Sequence, residues 1–297
     1  MRSAVSRARE SFSDYKQDAH NWVTLTTGEY YPDILEQACE LYKPVLVLFG
    51  RLLRGSETST RLLTEISSIS NGWMRIQLAR VFRKYVSPDT PVEMLKLKTR
   101  IEAICEQFGN RFRPINEVQA AFCNRPLPDE ALCAILWEYK DRGKKGYDLT
   151  EKFFALLKKQ FPDYNIVGPE RAGKDIPLGS IFNDYPNPKR PVDFVISNSV
   201  GDVLVVGLAR YDSDRGGAQE DDRVGGYKNC ADEILGFCKQ NRLKTKIIFL
   251  NDGPGLLLGS MWDDCSDIEQ RWKNKIVVTT LRMVPYRINR EWIEGVR

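Results

Sequence analysis

The sequence predicts an α/β protein, a mixed β-sheet flanked by helices, preceded by an all-helical N-terminal region. Three observations carry this. Residues 1–145 repeat apolar side chains at three- and four-residue spacing. Beyond Thr150, short β-branched runs alternate with amphipathic stretches. The first two strong runs are joined by a few turn residues, as in a hairpin, and the later ones by helices, which gives a sheet of mixed direction.

The helical region, 1–145, contains "DILEQACELYKPVLVLFGRLL" and "NGWMRIQLARVFRKYV", both with helical periodicity. "TPVEMLKLKTRIEAICEQF" opens with Thr90, Pro91 and Glu93, a capping-box arrangement with proline at the first helical position. Asp129 is placed to cap the helix of "PDEALCAILWEYKDR". "RGKKG" at 142–146 reads as a hinge or connection. The second region, 146–297, begins with the helix "TEKFFALLKKQF", which ends before Pro162. A Gly/Pro-rich stretch leads to the strand "PVDFVIS" (191–197), the turn "NSVGD" and the strand "VLVVGLARY". A helix over "YKNCADEILGFCKQN", a strand "TKIIFLN", a helix "LGSMWDDCSDIEQRWK" and a strand "KIVVTTLRMV" complete the order.

The 297 residues are 42% hydrophobic and 28% charged, enough for one large core or two modest ones. No apolar run approaches the roughly eighteen residues a membrane span needs. The N-terminus is polar, without the apolar segment of a signal peptide. The seven cysteines show no C-x-x-C spacing, so zinc and disulfides are not expected and a cytoplasmic location is. His20 is the only histidine, which disfavours histidine nucleases and multi-histidine metal centres. Acid–base or metal chemistry must then rest on carboxylates and lysines. A net charge of +4 does not by itself point to nucleic acid.

"GPERAGKD" (168–175) nearly spells a phosphate-binding P-loop, but Asp175 stands where a Ser or Thr must bind magnesium, and no helix pattern follows. No nucleotide cofactor is therefore expected. More informative is "ARYDSDRGGAQEDDR", where five carboxylates (Asp212, Asp214, Glu220, Asp221, Asp222) sit among Arg210, Arg215 and Arg223. Charge runs of this kind are usually solvated loops. Just beyond a strand end, beside another acid at Asp193, the cluster is also a candidate site. Two carboxylates about one magnesium ion can bind a phosphate oxygen and lower the pKa of a bound water.

The hairpin "RPVDFVIS…VLVVGLAR", followed by a helix and a strand, resembles the core of the PD-(D/E)xK nucleases, and more narrowly the type II restriction endonucleases, over about residues 150–285. The resemblance implies a restriction-endonuclease-like fold and Mg²⁺-dependent cleavage of double-stranded DNA at a specific sequence, with Mn²⁺ as a possible substitute. Water would attack the phosphorus and release a 3′-hydroxyl. It makes Asp193 the first metal-binding acid. Pairing outward from the turn puts Gly207 roughly opposite Asp193, where the family carries Glu-x-Lys; here the residues are Gly207, Leu208 and Ala209. The second acid must then have moved, to Asp212, Asp214 or Glu220, with Arg210 or Lys228 in the charge role of the absent lysine. Asp193, Asp212 and Glu220 are the expected metal ligands. The alternative is a catalytically silent module that binds DNA or a partner.

Gly216 and Gly217 would let the backbone approach phosphate closely. Arg215, Gln219 and Arg223 have side chains suited to reading base edges. Arg80 and Lys84, with Arg75 and Arg83 near them on one helix, and the pair Lys144 and Lys145, are candidate phosphate contacts, though such stripes are more often solvated. A homodimer matching a two-fold DNA site is the expected assembly. Tryptophans 73, 137, 262, 272 and 292 read as core.

Overall fold

The computed structural model describes residues 11–25, 29–140, 144–168, 175–213 and 218–295; of 144–147 and 218–224 it describes the helical backbone only. The chain forms two compact units, Gly28–Arg142 and the combination of Met1–Thr27 with Gly143–Arg297. The boundary between Arg142 and Gly143 lies close to the division at 145 drawn from the sequence, and the N-terminal segment groups with the C-terminal unit.

The helical unit contains α1 (Leu35–Gly55), α2 (Ser59–Ser68), α3 (Gly72–Tyr85), α4 (Val92–Lys96), α5 (Ile101–Phe108), α6 (Ile115–Cys123) and α7 (Glu130–Trp137). Thr58, Asn71 and Asp129 each accept a backbone N–H near the start of α2, α3 and α7, satisfying donors that a helix leaves unpaired. The single helix expected over 90–108 is broken. Pro91 is the N-cap of α4 and Leu97 is extended, before a 3₁₀ turn leads into α5. The break has a physical reason. In one continuous helix Val92 and Ile101 would lie about 180° apart, yet both are buried.

In the other unit, α8 (Lys144–Gln160) precedes β1 (Asn165–Val167), β2 (Ile176–Pro177), β3 (Pro191–Val192), β4 (Phe194–Ser197) and β5 (Val203–Tyr211). Then come α9 (Ala218–Gln240), β6 (Lys246–Asp252), α10 (Met261–Arg271), β7 (Ile276–Thr279), α11 (Val284–Arg287) and α12 (Arg290–Glu294). The main sheet has the order β1-β4-β5-β6-β7. β1, β4 and β5 are antiparallel neighbours, and β6 and β7 run parallel to β5. This is the mixed α/β sheet that the sequence predicts. The Asn198 side chain closes the β4–β5 turn by accepting from Val200 and Asp202, with Gly201 at φ +92°.

Both sheet faces are covered, which is why β6 reads as an unbroken apolar run. On one face Val206, Ile247, Phe249 and Val278 pack with Tyr227, Ile234, Trp262 and Ile268. Phe12, Tyr15, Ala19 and Val23 of the N-terminal segment join that core. On the other face Phe194, Ile196, Val205, Ile248 and Leu250 pack against Phe153, Phe154 and Leu157 of α8. The outer edge of β7 is closed by side chains. Glu269 accepts from the Val278 N–H at 2.8 Å, and Arg287 donates to the Val278 carbonyl and, at 2.6 Å, to Glu269. An exposed strand edge invites pairing with another chain, and this buried ion pair removes the invitation.

Several bounds differ from the sequence reading. Of the stretch 142–146 read as a hinge or connection, Lys144–Gly146 begin α8, and Arg142 and Gly143 lie outside the described residues. The strand expected over 191–197 is two strands of different sheets, interrupted at Asp193. α9 begins nine residues before Tyr227. The strand expected to run to Val284 ends at Thr279 and gives way to helical turns. Trp137 and Trp262 are buried, whereas Trp73 is 43% exposed.

Candidate functional site

The candidate site lies on the rim where β4 begins and β5 and β6 end. Asp193 occupies the break between β3 and β4. Its N–H donates to the Gly207 carbonyl at 2.9 Å, and its Oδ2 accepts from the Ala209 N–H at 2.7 Å. The partner directly opposite Gly207 is Phe194, one residue along from the pairing expected with Asp193. Burial raises the Asp193 pKa above the ordinary carboxylate value; nearby Asp175 adds to the rise, while the Ala209 N–H and Arg210 oppose it. A carboxylate kept in this environment is costly as a bare anion and is best used to hold a cation or a proton.

Position 207 cannot carry the acid of a Glu-x-Lys element in this packing. A Cβ there would come within 1.9 Å of the Phe194 ring, which is fully buried. That ring packs against Phe153 and Phe154, with centroids at 5.0 and 6.0 Å. Gly207 is thus a mate to Phe194, filled rather than empty.

The charged residues gather on the side of the sheet that faces α9. Arg210, whose side chain is 41% exposed, places Nε 3.5 Å from Oδ1 of Asp212. Asp212 is 4% exposed and follows the end of β5. Its backbone is locked in place. Asp212 N–H donates to the Asp252 carbonyl at 2.8 Å, and its own carbonyl accepts from Gly255 N–H at 2.9 Å. Gly253, at φ +104°, lies so close that a Cβ would fall 2.2 Å from the Asp212 carbonyl oxygen, so position 253 calls for glycine.

Asp252, fully buried at the end of β6, gathers three chain segments. Its Oδ1 accepts from Thr24 and Gly253 N–H at 2.6 and 2.7 Å, and its Oδ2 from Leu281 N–H at 2.9 Å. Tyr211 donates its hydroxyl to the Thr24 carbonyl. Below the rim, Tyr227 of α9 donates to Oδ1 of Asn251 at 2.5 Å, and Asn251 Nδ2 to Cys265 Sγ at 3.4 Å. The Tyr227 hydroxyl is fully buried, which raises its pKa, and it lies within electrostatic reach of Arg210, Asp212 and Asp193.

Of the residues proposed from the sequence, Asp193, Arg210 and Asp212 are brought to this rim. Lys228 is half-buried on α9, one residue beyond Tyr227. Gln219, Glu220 and Arg223 belong to the first turns of α9, with only their backbone described; Glu220 precedes Tyr227 by seven residues, two helical turns. Asp214, Arg215, Gly216 and Gly217 lie outside the described residues, as does 169–174 of the P-loop-like stretch. Lys144 and Lys145 are the first residues of α8, with only their backbone described.

Arg80 is half-buried on α3. It donates to Gln77 at 3.0 Å and stacks 4.9 Å from the Tyr139 ring centroid. Arg75 and Arg83 donate to the carbonyls of Ile69 and Pro88. Lys84 alone of the four is exposed.

Sequence reasoning missed Tyr227 and Asn251 as site neighbours, and missed what the ends of "GPERAGKD" do. Gly168 packs against the Asp193 backbone, where a Cβ would come 2.7 Å from its carbonyl oxygen. Asp175 at the other end contributes to the field at Asp193. The two described ends of the stretch, Gly168 and Asp175, thus border Asp193.

Among the described residues no three His, Cys, Asp or Glu side chains converge as metal ligands, and no helix is long and apolar enough to cross a membrane. No protein-family model, curated protein or solved structure matches this chain.

Proposed function

We propose that the chain is a magnesium-dependent nuclease that cleaves double-stranded DNA, of the restriction-endonuclease type, with its second acid moved off the Glu-x-Lys position. The observation that carries this reading is Asp193. It stands at the mouth of an antiparallel hairpin that continues through a helix into a parallel strand, and its half-buried carboxylate is steadied by the Ala209 N–H. Arg210 and Asp212 extend the charged rim from the same strand. A magnesium ion would be held by Asp193 and Asp212, with its other ligands from water, phosphate oxygens or an acid of the first turn of α9, since magnesium keeps several waters. When bound it supplies a polarised phosphate oxygen and a more acidic water. The protein's own part is to fix Asp193, to hold Arg210 where negative charge develops, and to keep the Asp212 backbone rigid. A homodimer acting on a two-fold duplex belongs to the same proposal.

The interlock of Phe194 with Gly207 favours a second reading, a nuclease-like module that binds DNA or a partner without cutting it. Single substitutions separate the two. In the nuclease reading Asp212→Asn or Glu220→Gln eliminates cleavage and weakens Mn²⁺ binding. Unchanged cleavage and metal affinity in both variants would exclude a migrated acid at these positions.

A further inference from the structure

The buried pair Tyr227–Asn251 has no place in the chemistry above, yet it sits directly beneath the charged rim. Asn251 is fully buried and is the register partner of Arg210 across the parallel β5–β6 pair. Register partners on adjacent strands lie about 4.8 Å apart with side chains on the same face. The carbonyl oxygen of Asn251 is therefore a neutral acceptor on the same face, inward of the Arg210 guanidinium. Tyr227 occupies it, donating at 2.5 Å, while the amide nitrogen of Asn251 is directed to Cys265. The ring of Tyr227 is fixed independently, against Phe249 at 4.5 Å between centroids. Arg210, with its inward acceptor taken, extends to Asp212 and to the solvent rim.

We infer that Tyr227 is a positioning residue. By holding the Asn251 carbonyl in its own hydrogen bond it keeps the Arg210 guanidinium turned outward, available to an incoming phosphate. This deepens the nuclease reading and rests on it for the identity of the phosphate as part of DNA; the conformational statement about Arg210 does not need DNA. Removing the Tyr227 hydroxyl leaves a buried amide carbonyl unpaired, a costly state that an adjacent guanidinium relieves by turning inward. Replacing Asn251 as well removes the lure, and Arg210 returns to the rim.

The experiment uses the full chain. The Nε–H resonance of Arg210 is identified by its loss in Arg210→Lys, then followed in Tyr227→Phe and in Tyr227→Phe/Asn251→Leu, with Asn251→Ala as the smaller alternative if leucine prevents folding. In parallel, the salt dependence of binding to duplex DNA is measured in calcium. Tyr227→Phe is expected to shift the resonance and to lower the slope of log K against log salt by about 0.9, the share of one phosphate contact. The double variant is expected to restore both. A purely structural role for Tyr227 would give no such rescue. An Arg210 resonance unchanged in Tyr227→Phe, or left shifted in both double variants, overturns the inference. If the resonance shifts and recovers while the parent binds no duplex DNA, the positioning role stands and the nuclease reading falls.

Discussion

Gly207→Ala is expected to destabilise the protein by about 2 kcal/mol. The added methyl would meet three atoms of the Phe194 ring at 1.9, 2.3 and 2.4 Å, where ordinary carbon contacts are about 3.5–4.0 Å. The ring would have to retreat by roughly 1.6 Å, the gap between 1.9 Å and a normal contact. Phe153 and Phe154 stand behind it, both buried. Overpacking costs about 1–3 kcal/mol, and a displacement this large against buried rings sits at the upper end, about 3 kcal/mol. Against it stands the gain of about 0.5–1 kcal/mol from replacing a strand glycine by alanine. A net loss of about 2 kcal/mol corresponds to roughly 4–8 °C in Tm for a unit of this size. Urea denaturation of Gly207→Ala, Phe194→Leu and the double variant measures it. The double variant should be more stable than the sum of the singles predicts, by an interaction energy of about 0.5 kcal/mol or more. A Gly207→Ala variant within about 0.5 kcal/mol of the parent, or strict additivity, would refute the interlock. With it would go the reason that the second acid cannot return to position 207.

Two further outcomes follow from the carboxylates of the rim. Asp193 has a folded pKa above its ordinary value of 3.8, so the folded state holds the proton more tightly and the Asp193 contribution to stability declines as pH rises through the carboxylate range. Asp193→Asn still accepts from the Ala209 N–H without carrying charge, and should be more stable than the parent at neutral pH, with the advantage gone below about pH 4. An equal stability difference at pH 3 and pH 7 contradicts this. Asp252→Asn replaces one of two accepting oxygens by a donor facing a backbone N–H, and should cost about 2 kcal/mol or more, as charged hydrogen bonds do. A urea midpoint unchanged from the parent would show that the three segments do not depend on this carboxylate.

How far the sequence could be read depended on the length of each element. The hairpin, β6 and the helices with full apolar stripes were legible because burial imposes their periodicity. The break at Asp193 was not, since β2 and β3 are two residues each, too short to leave a pattern. The early start of α9 was masked by Gly225, Gly226, Asp221 and Asp222, weak helix formers or cap residues. The N-terminal segment did carry a signal. Phe12, Tyr15, Ala19 and Val23 recur at spacings of three and four, and all four are buried, but the surrounding charges drew the eye. Of the site, Asp193, Arg210 and Asp212 were legible as charge beside a strand end. Tyr227 and Asn251 were not, because a polar contact between a helix and a strand has no local sequence signature. Asp175 was seen only as a defect in another motif.

The central claim is that Asp193 makes this chain a metal-dependent nuclease, and one measurement tests it most directly. Bacteriophage DNA is incubated with the parent and with Asp193→Asn, in magnesium and in manganese, after circular dichroism has established that both are folded. The account predicts discrete fragments from the parent and none from the variant, because Asp193→Asn removes a charged metal ligand with little change of shape. A parent that cuts no DNA with either metal, or an Asp193→Asn variant that cuts as well as the parent, would contradict it.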